Sequence, residues 1–120
     1  MLSALKKAIN DSPYSAIVQH TKVEVQRDGK DGDKHIRHVR VLETLRGRKS
    51  DKIRYTVFTE SGESAKPPKG PVIVTLCSDS DGFYWPGVGS SFPSDKRTAQ
   101  AAKSSAASAK EDQTVFPNCD

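Results

Sequence analysis

A chain of 120 residues is the size of one domain, and with only 34% hydrophobic residues its core must be compact and partly capped by long polar side chains. The 19 basic and 15 acidic residues give a formal charge of +4, spread along the chain with no run of five Lys or Arg. That argues against the concentrated basic face of a nucleic-acid binder, and no apolar stretch is long enough to span a membrane as a helix.

The first residues, Met1-Leu2-Ser3-Ala4-Leu5-Lys6-Lys7, lack the apolar central region of a signal peptide. The chain is therefore either cytoplasmic or the mature form of an exported protein, periplasmic or secreted, whose signal has been removed. Leu2, Leu5 and Ile9 form one apolar stripe at helical spacing, which predicts a helix over residues 2–11. Ser12-Pro13 ends it, because the residue before a proline is pushed out of the helical region.

From Ala16 to Gln26 the period becomes two. Ile17, Val23 and Val25 are expected on one face, with Lys22, Glu24 and Gln26 on the other. Asp28-Gly29-Lys30-Asp31-Gly32-Asp33 then reads as a reversing turn. His35 to Leu45 follows as the second strand of a hairpin, with Val39 and Val41 inward and Arg46-Gly47 closing it. Ile53-Tyr55-Val57 begins a third strand, with Arg54 and Thr56 outward. Ser61 to Gly70 is a polar loop around Pro67-Pro68.

Val72-Ile73-Val74-Thr75-Leu76-Cys77 is apolar at successive positions and is expected to be the most buried strand. Asp79-Ser80-Asp81-Gly82 turns the chain into a short strand, Phe83-Tyr84-Trp85, stopped by Pro86-Gly87. Ser94 is the expected N-cap of a helix over 95–110 that presents Ala99, Ala102, Ala106 and Ala109 on one face. The alternative for 95–112 is a partly disordered Ala/Ser/Lys segment. The tail from Thr114 would add an edge strand or lie across the barrel. The expected organisation is one domain over 1–120: an N-terminal helix (1–13), a β-barrel (14–92), and a helix with its tail (93–120).

Val39-x-Val41-Leu42-Glu43-Thr44-Leu45-Arg46-Gly47 resembles the V-x-V-L-E-V-L-K-G run of bacterial exported domains of the tissue-inhibitor-of-metalloproteinase-like, or netrin-like, class. Tyr14-Ser15-Ala16-Ile17-Val18 is similar to that class's early Ala-x-x-Ile-Val run. Gly70-Pro71-Val72-Ile73-Val74-Thr75-Leu76 is similar to its later G-x-x-Y-L-V-F-L run. The resemblance covers residues 14–85. It implies a five-stranded antiparallel OB-like barrel with helices packed outside, in an exported protein, and it carries over no catalytic residue. Inhibitor members of the class engage a metal through an N-terminal cysteine, and this chain has no cysteine before Cys77.

The local motifs that imitate chemistry each have a simpler reading. His35 and His38 are an odd distance apart, so on a strand their rings point to opposite faces. A metal site is not expected there. Asp79-Ser80-Asp81-Gly82 resembles the middle of a calcium loop, but the flanking positions that need acids hold Cys77 and Val88. Gly87-Val88-Gly89-Ser90-Ser91 lacks the Lys-Ser/Thr ending of a phosphate loop. No cofactor is expected. Cys77 and Cys119 permit one bridge, and a tail with few other apolar anchors needs one, so a Cys77–Cys119 disulfide is expected.

The aromatic run leaves two readings. In one, alternate rings fill the barrel and Tyr84 sits at its rim. In the other, Tyr84 and Trp85 anchor a protein partner beside the Gly87–Ser91 loop (Gly87 and Ser90 included), with Arg46 and Arg48 available for steering. The expected function is a non-enzymatic exported binding or inhibitory module for a protein partner. The alternative is an OB-like domain that stacks single-stranded nucleic acid.

Overall fold

The computed structural model describes residues 2–27, 32–64, 66–87 and 89–119. The chain runs α1 (Leu2–Asn10), β1 (Tyr14–Arg27), β2 (Asp33–Arg46), β3 (Lys52–Thr59), β4 (Val72–Asp79), β5 (Gly82–Tyr84), β6 (Ser91–Pro93) and α2 (Lys96–Ala107), ending in a 3-10 turn at Pro117–Cys119. Most of the expected hairpin turn, 28–31, lies outside the described residues.

Strands β1, β2, β3, β5 and β4 pair in that order, and β1–β4 pairing from Tyr14↔Leu76 to Val18↔Val72 closes them into a five-stranded barrel. β6 is an extra strand on β4. The barrel is mixed, not wholly antiparallel, because β5 runs parallel to β3 through Tyr55↔Phe83 and Thr56↔Tyr84. The cause is connectivity: β4 crosses the barrel between them, so β5 returns in the direction of β3.

Two cores result. Inside the barrel lie Tyr14, Ala16, Val18, Val39, Tyr55, Val57, Val74 and Leu76. Between the barrel wall and the helices lie Leu5, Ala8, Ile9, Ile17, Ile73, Phe92 and Ala102. β4 serves both, with Val74 and Leu76 facing inward and Ile73 facing the helices. This is why Ile73–Cys77 is buried without interruption, as its unbroken apolar run predicted.

β1 departs from simple alternation. Its register shifts between His20 and Lys22, leaving Thr21 as an extra residue whose hydroxyl donates to the His38 carbonyl at 3.1 Å. Such a bulge reverses which positions face inward. Before it, Tyr14, Ala16, Val18 and His20 point into the barrel. After it, Val23 and Val25 share the side of their partners Arg37 and His35. Ile17 therefore does not share a face with Val23 and Val25, contrary to the period-two expectation; it packs under the helices.

α2 is capped by Asp95, not by Ser94. The Asp95 carboxylate accepts from the Thr98 amide and the Thr98 hydroxyl, both at 2.9 Å, and these bonds hold its pKa below the usual carboxylate value. A carboxylate supplies two acceptors at a helix start where a Ser hydroxyl supplies one bond. The helix covers Lys96–Ala107 and stops short of the expected Lys110, leaving Ala109 beyond it, and Ala102 is fully buried while Ala99 and Ala106 are partly so.

Candidate binding surface

Alternation along the aromatic run separates its rings. Phe83 turns inward and tilts against Tyr14, with centroids 4.6 Å apart. Trp85 also packs on the barrel core; its amide donates to the Thr56 carbonyl at 2.9 Å and its indole Nε1 to Ser91 Oγ at 3.1 Å. The ring is half-buried, as a partly exposed anchor would require. Tyr84 points outward, and its hydroxyl donates to the Cys119 carbonyl at 3.4 Å. The two rings proposed as one anchor thus address different surfaces.

Tyr84 forms one wall of a groove of about 380 Å³ on the outer face of β1, β2, β3 and β5. Register explains its composition. Glu24, Ile36, Thr56 and Tyr84 fall in one row across four strands, with Gln26, Lys34 and Phe58 in the next. Phe58 is 63% exposed, the Lys34 ammonium lies 5.9 Å from its ring centroid, and the Arg54 guanidinium has no partner among the described residues. Glu24 accepts from His38 at 2.9 Å and pairs with Lys22 at 3.2 Å, contacts that hold its pKa below the usual value.

Phe58 was not singled out from sequence. The signal was present: in Arg54-Tyr55-Thr56-Val57-Phe58 the outward set is Arg54, Thr56 and Phe58, an aromatic among solvent-facing residues.

The remaining candidate residues are placed as follows. Ser90 is buried, and its carbonyl accepts from the Thr75 amide at 3.0 Å, so its backbone splices β6 to β4. Gly87 is half-buried, and Val88 lies outside the described residues. Arg48 is exposed on the turn after β2. Gly47, beside it, holds φ +100, and an added Cβ would come within 2.8 Å of the Tyr14 ring, so the turn at Arg46-Gly47 requires glycine.

Arg46 is occupied. Its guanidinium donates to the carbonyls of Ile9 at 2.9 Å, Asn10 at 3.1 Å and Lys110 at 2.9 Å and to Gln113 Oε1 at 2.7 Å, and it lies 5.2 Å from the Phe116 ring centroid. It caps the end of α1 and seats the tail on it. Gln113 and Asn118 complete the join, donating to the Asn10 carbonyl at 2.8 Å and to Ser12 Oγ at 3.1 Å. Arg46→Ala is expected to cost about 2 kcal/mol or more in denaturant unfolding, since the part-buried carbonyls of Ile9 and Asn10 and the tail's acceptors lose their donor together. Arg46→Lys should recover only part, because an ammonium cannot reproduce the fork.

The Cys77–Cys119 disulfide is present, with Cα atoms 5.6 Å apart, and it fixes the tail to β4 across the end of the barrel. At the opposite end lies a polar cluster under the β3–β4 loop. His20 Nε2 is 2.6 Å from the Tyr55 hydroxyl, and the His20 pKa is pushed down to about 4, by burial first and by the Arg37 charge second. Burial also raises the Tyr55 phenol. Buried Asp33 accepts from the Gly62 amide at 3.0 Å, holding the loop down.

His35 is fully buried, while His38 faces out toward Glu24, so the two rings occupy opposite faces as strand geometry requires. Among the described residues no three His, Cys, Asp or Glu side chains gather as metal ligands, and no helix is long and apolar enough to cross a membrane. A comparison with protein-family models and with curated proteins finds no match to this chain.

Proposed function

We propose that this chain is a non-enzymatic exported binding or inhibitory module that engages a protein partner through the outer groove of β1, β2, β3 and β5. The observation that carries the reading is Phe58, 63% exposed, which lines a concave site with Tyr84 and with Arg54, whose guanidinium has no partner among the described residues. Leaving a large ring in water costs hydrophobic free energy that a partner would recover, and aromatic and Arg side chains are the common anchors of protein interfaces. The disulfide and the netrin-like resemblance support the exported setting.

The nucleic-acid reading draws on the same rings and on Arg54 and Lys34. The groove's carboxylates weigh against it: Glu24, Asp79 and Asp81 outnumber the two cations and would repel a phosphate backbone.

Phe58→Ala is expected to weaken binding of the natural partner by about 2 kcal/mol or more while leaving the melting temperature nearly unchanged, because the ring makes little of the core. Titration calorimetry with a partner captured from the source organism checks this. Equal affinity of wild type and variant would remove the groove as the site. Tight oligothymidine binding that weakens steeply with salt would transfer the reading to nucleic acid.

A further inference from the structure

We infer that the free edge of β1 pairs two copies of this chain, antiparallel and two-fold symmetric about Val23. β1 is flanked by β4 only along Tyr14–Val18, whereas β2 follows it to Arg27. From Lys22 onward, the side of β1 away from β2 carries no strand and no backbone hydrogen bond among the described residues. Such an edge presents a row of unpaired amide and carbonyl groups, a template for another strand. The Thr21 bulge marks where this extended edge begins.

The choice of occupant follows from charge. A two-fold axis normal to the sheet sets residues against one another symmetrically about a central residue, outer face meeting outer face. Centring on Glu24 opposes two carboxylates, and centring on Lys22 opposes two ammonium groups. Among the described residues, centring on Val25 sets Glu24 against Gln26 and yields no ion pair.

Centring on Val23 sets Lys22 of each copy against Glu24 of the other, twice. On the inner face it places Val23 on Val23, with Val25, 39% exposed, two residues further along the edge. The chain is thus complementary to itself in one register and self-repelling in the adjacent ones. Within a single copy Lys22 already reaches Glu24 at 3.2 Å, but both side chains are exposed, so exchanging partners across the axis costs little. An edge this short buries less than the roughly 1,200 Å² of a standard stable interface, so the dimer forms with rising concentration instead of being permanent.

Sedimentation equilibrium from micromolar to millimolar protein tests the inference. The expected result is a shift from 13.1 kDa toward twice that mass. Lys22→Glu and Glu24→Lys, each of which sets like charges across the axis twice, should weaken the dimer about tenfold, and the double exchange should restore it. Circular dichroism should be unchanged throughout, since both positions are exposed. A wild type monomeric over the whole range, single variants that dimerise normally, or a double exchange that fails to rescue would each overturn the inference. The last two outcomes would place any dimer contact elsewhere on the chain.

Discussion

Replacing Cys77 and Cys119 together by alanine is expected to lower unfolding stability by about 4 kcal/mol in the chain-entropy picture. The bridge joins residues 42 apart, so it removes a large loop's worth of freedom from the unfolded chain. Its loss also touches the folded state. The tail holds the end of α1 through Gln113 and the residue Ser12 just after it through Asn118, accepts the Tyr84 hydroxyl at Cys119, and gives Arg46 two of its acceptors. Hydrogen exchange should therefore quicken across residues 110–119 and at the end of α1, with the amides of β4 affected least. Urea unfolding of the double variant beside the wild type measures the first effect. A loss below about 1 kcal/mol would mean that the tail stays docked by its hydrogen bonds alone.

Acidification from pH 7 to pH 4 is expected to cost about 3 kcal/mol through His20 alone. In the unfolded chain His20 takes a proton near its ordinary pKa of 6.5, whereas in the barrel mouth it stays neutral until about pH 4. The unfolded state thus binds the extra proton between those values. The contribution is fully present above pH 6.5, falls as the pH drops, and levels off below 4 once both states are protonated. Carboxylates such as Asp95 and Glu24, whose folded pKa values are lowered, add their own loss below their ordinary range. The comparison that isolates the histidine is His20→Gln, whose stability should be lower at pH 7 and nearly flat from pH 6.5 to pH 5. A wild-type curve equally flat over that interval would refute the assignment.

Most of the architecture was legible because burial on two sides leaves a plain mark. Val72–Cys77 could be placed at the centre because both of its faces carry apolar residues, as a strand between barrel core and helices requires, with Thr75 its one polar side chain, buried with its hydroxyl directed to the Ser90 carbonyl. The two helices and the disulfide were readable for similar reasons, from an apolar stripe and from a tail poor in other anchors. What escaped depends on events that no local pattern records. One inserted residue at Thr21 inverts the faces of the rest of β1, and alternation carries no trace of where a bulge will fall. The groove needs β5 beside β3, a pairing brought about by the path of β4, so Phe58 and Tyr84 line one groove although nothing near either residue predicts that they share it. Arg46 looked available for steering because the groups that occupy it come from both ends of the chain, Ile9 and Asn10 from α1 and Lys110, Gln113 and Phe116 from the tail.

The manner in which the barrel closes also bears on how it is made. The β1–β2, β2–β3 and β4–β5 pairings join neighbours in sequence and can form as each strand becomes available. The other two seams tie Tyr14 to Leu76 and Tyr55 to Phe83. Long-range seams must overcome loop-closure entropy before they return any contact, which makes such a topology slow among small domains. During synthesis the inward residues of β1 wait for β4 to be translated, and until then the β1–β2 hairpin holds an open, apolar-faced edge. That interval, more than the finished fold, is where the nascent chain is exposed to aggregation and to capture by chaperones.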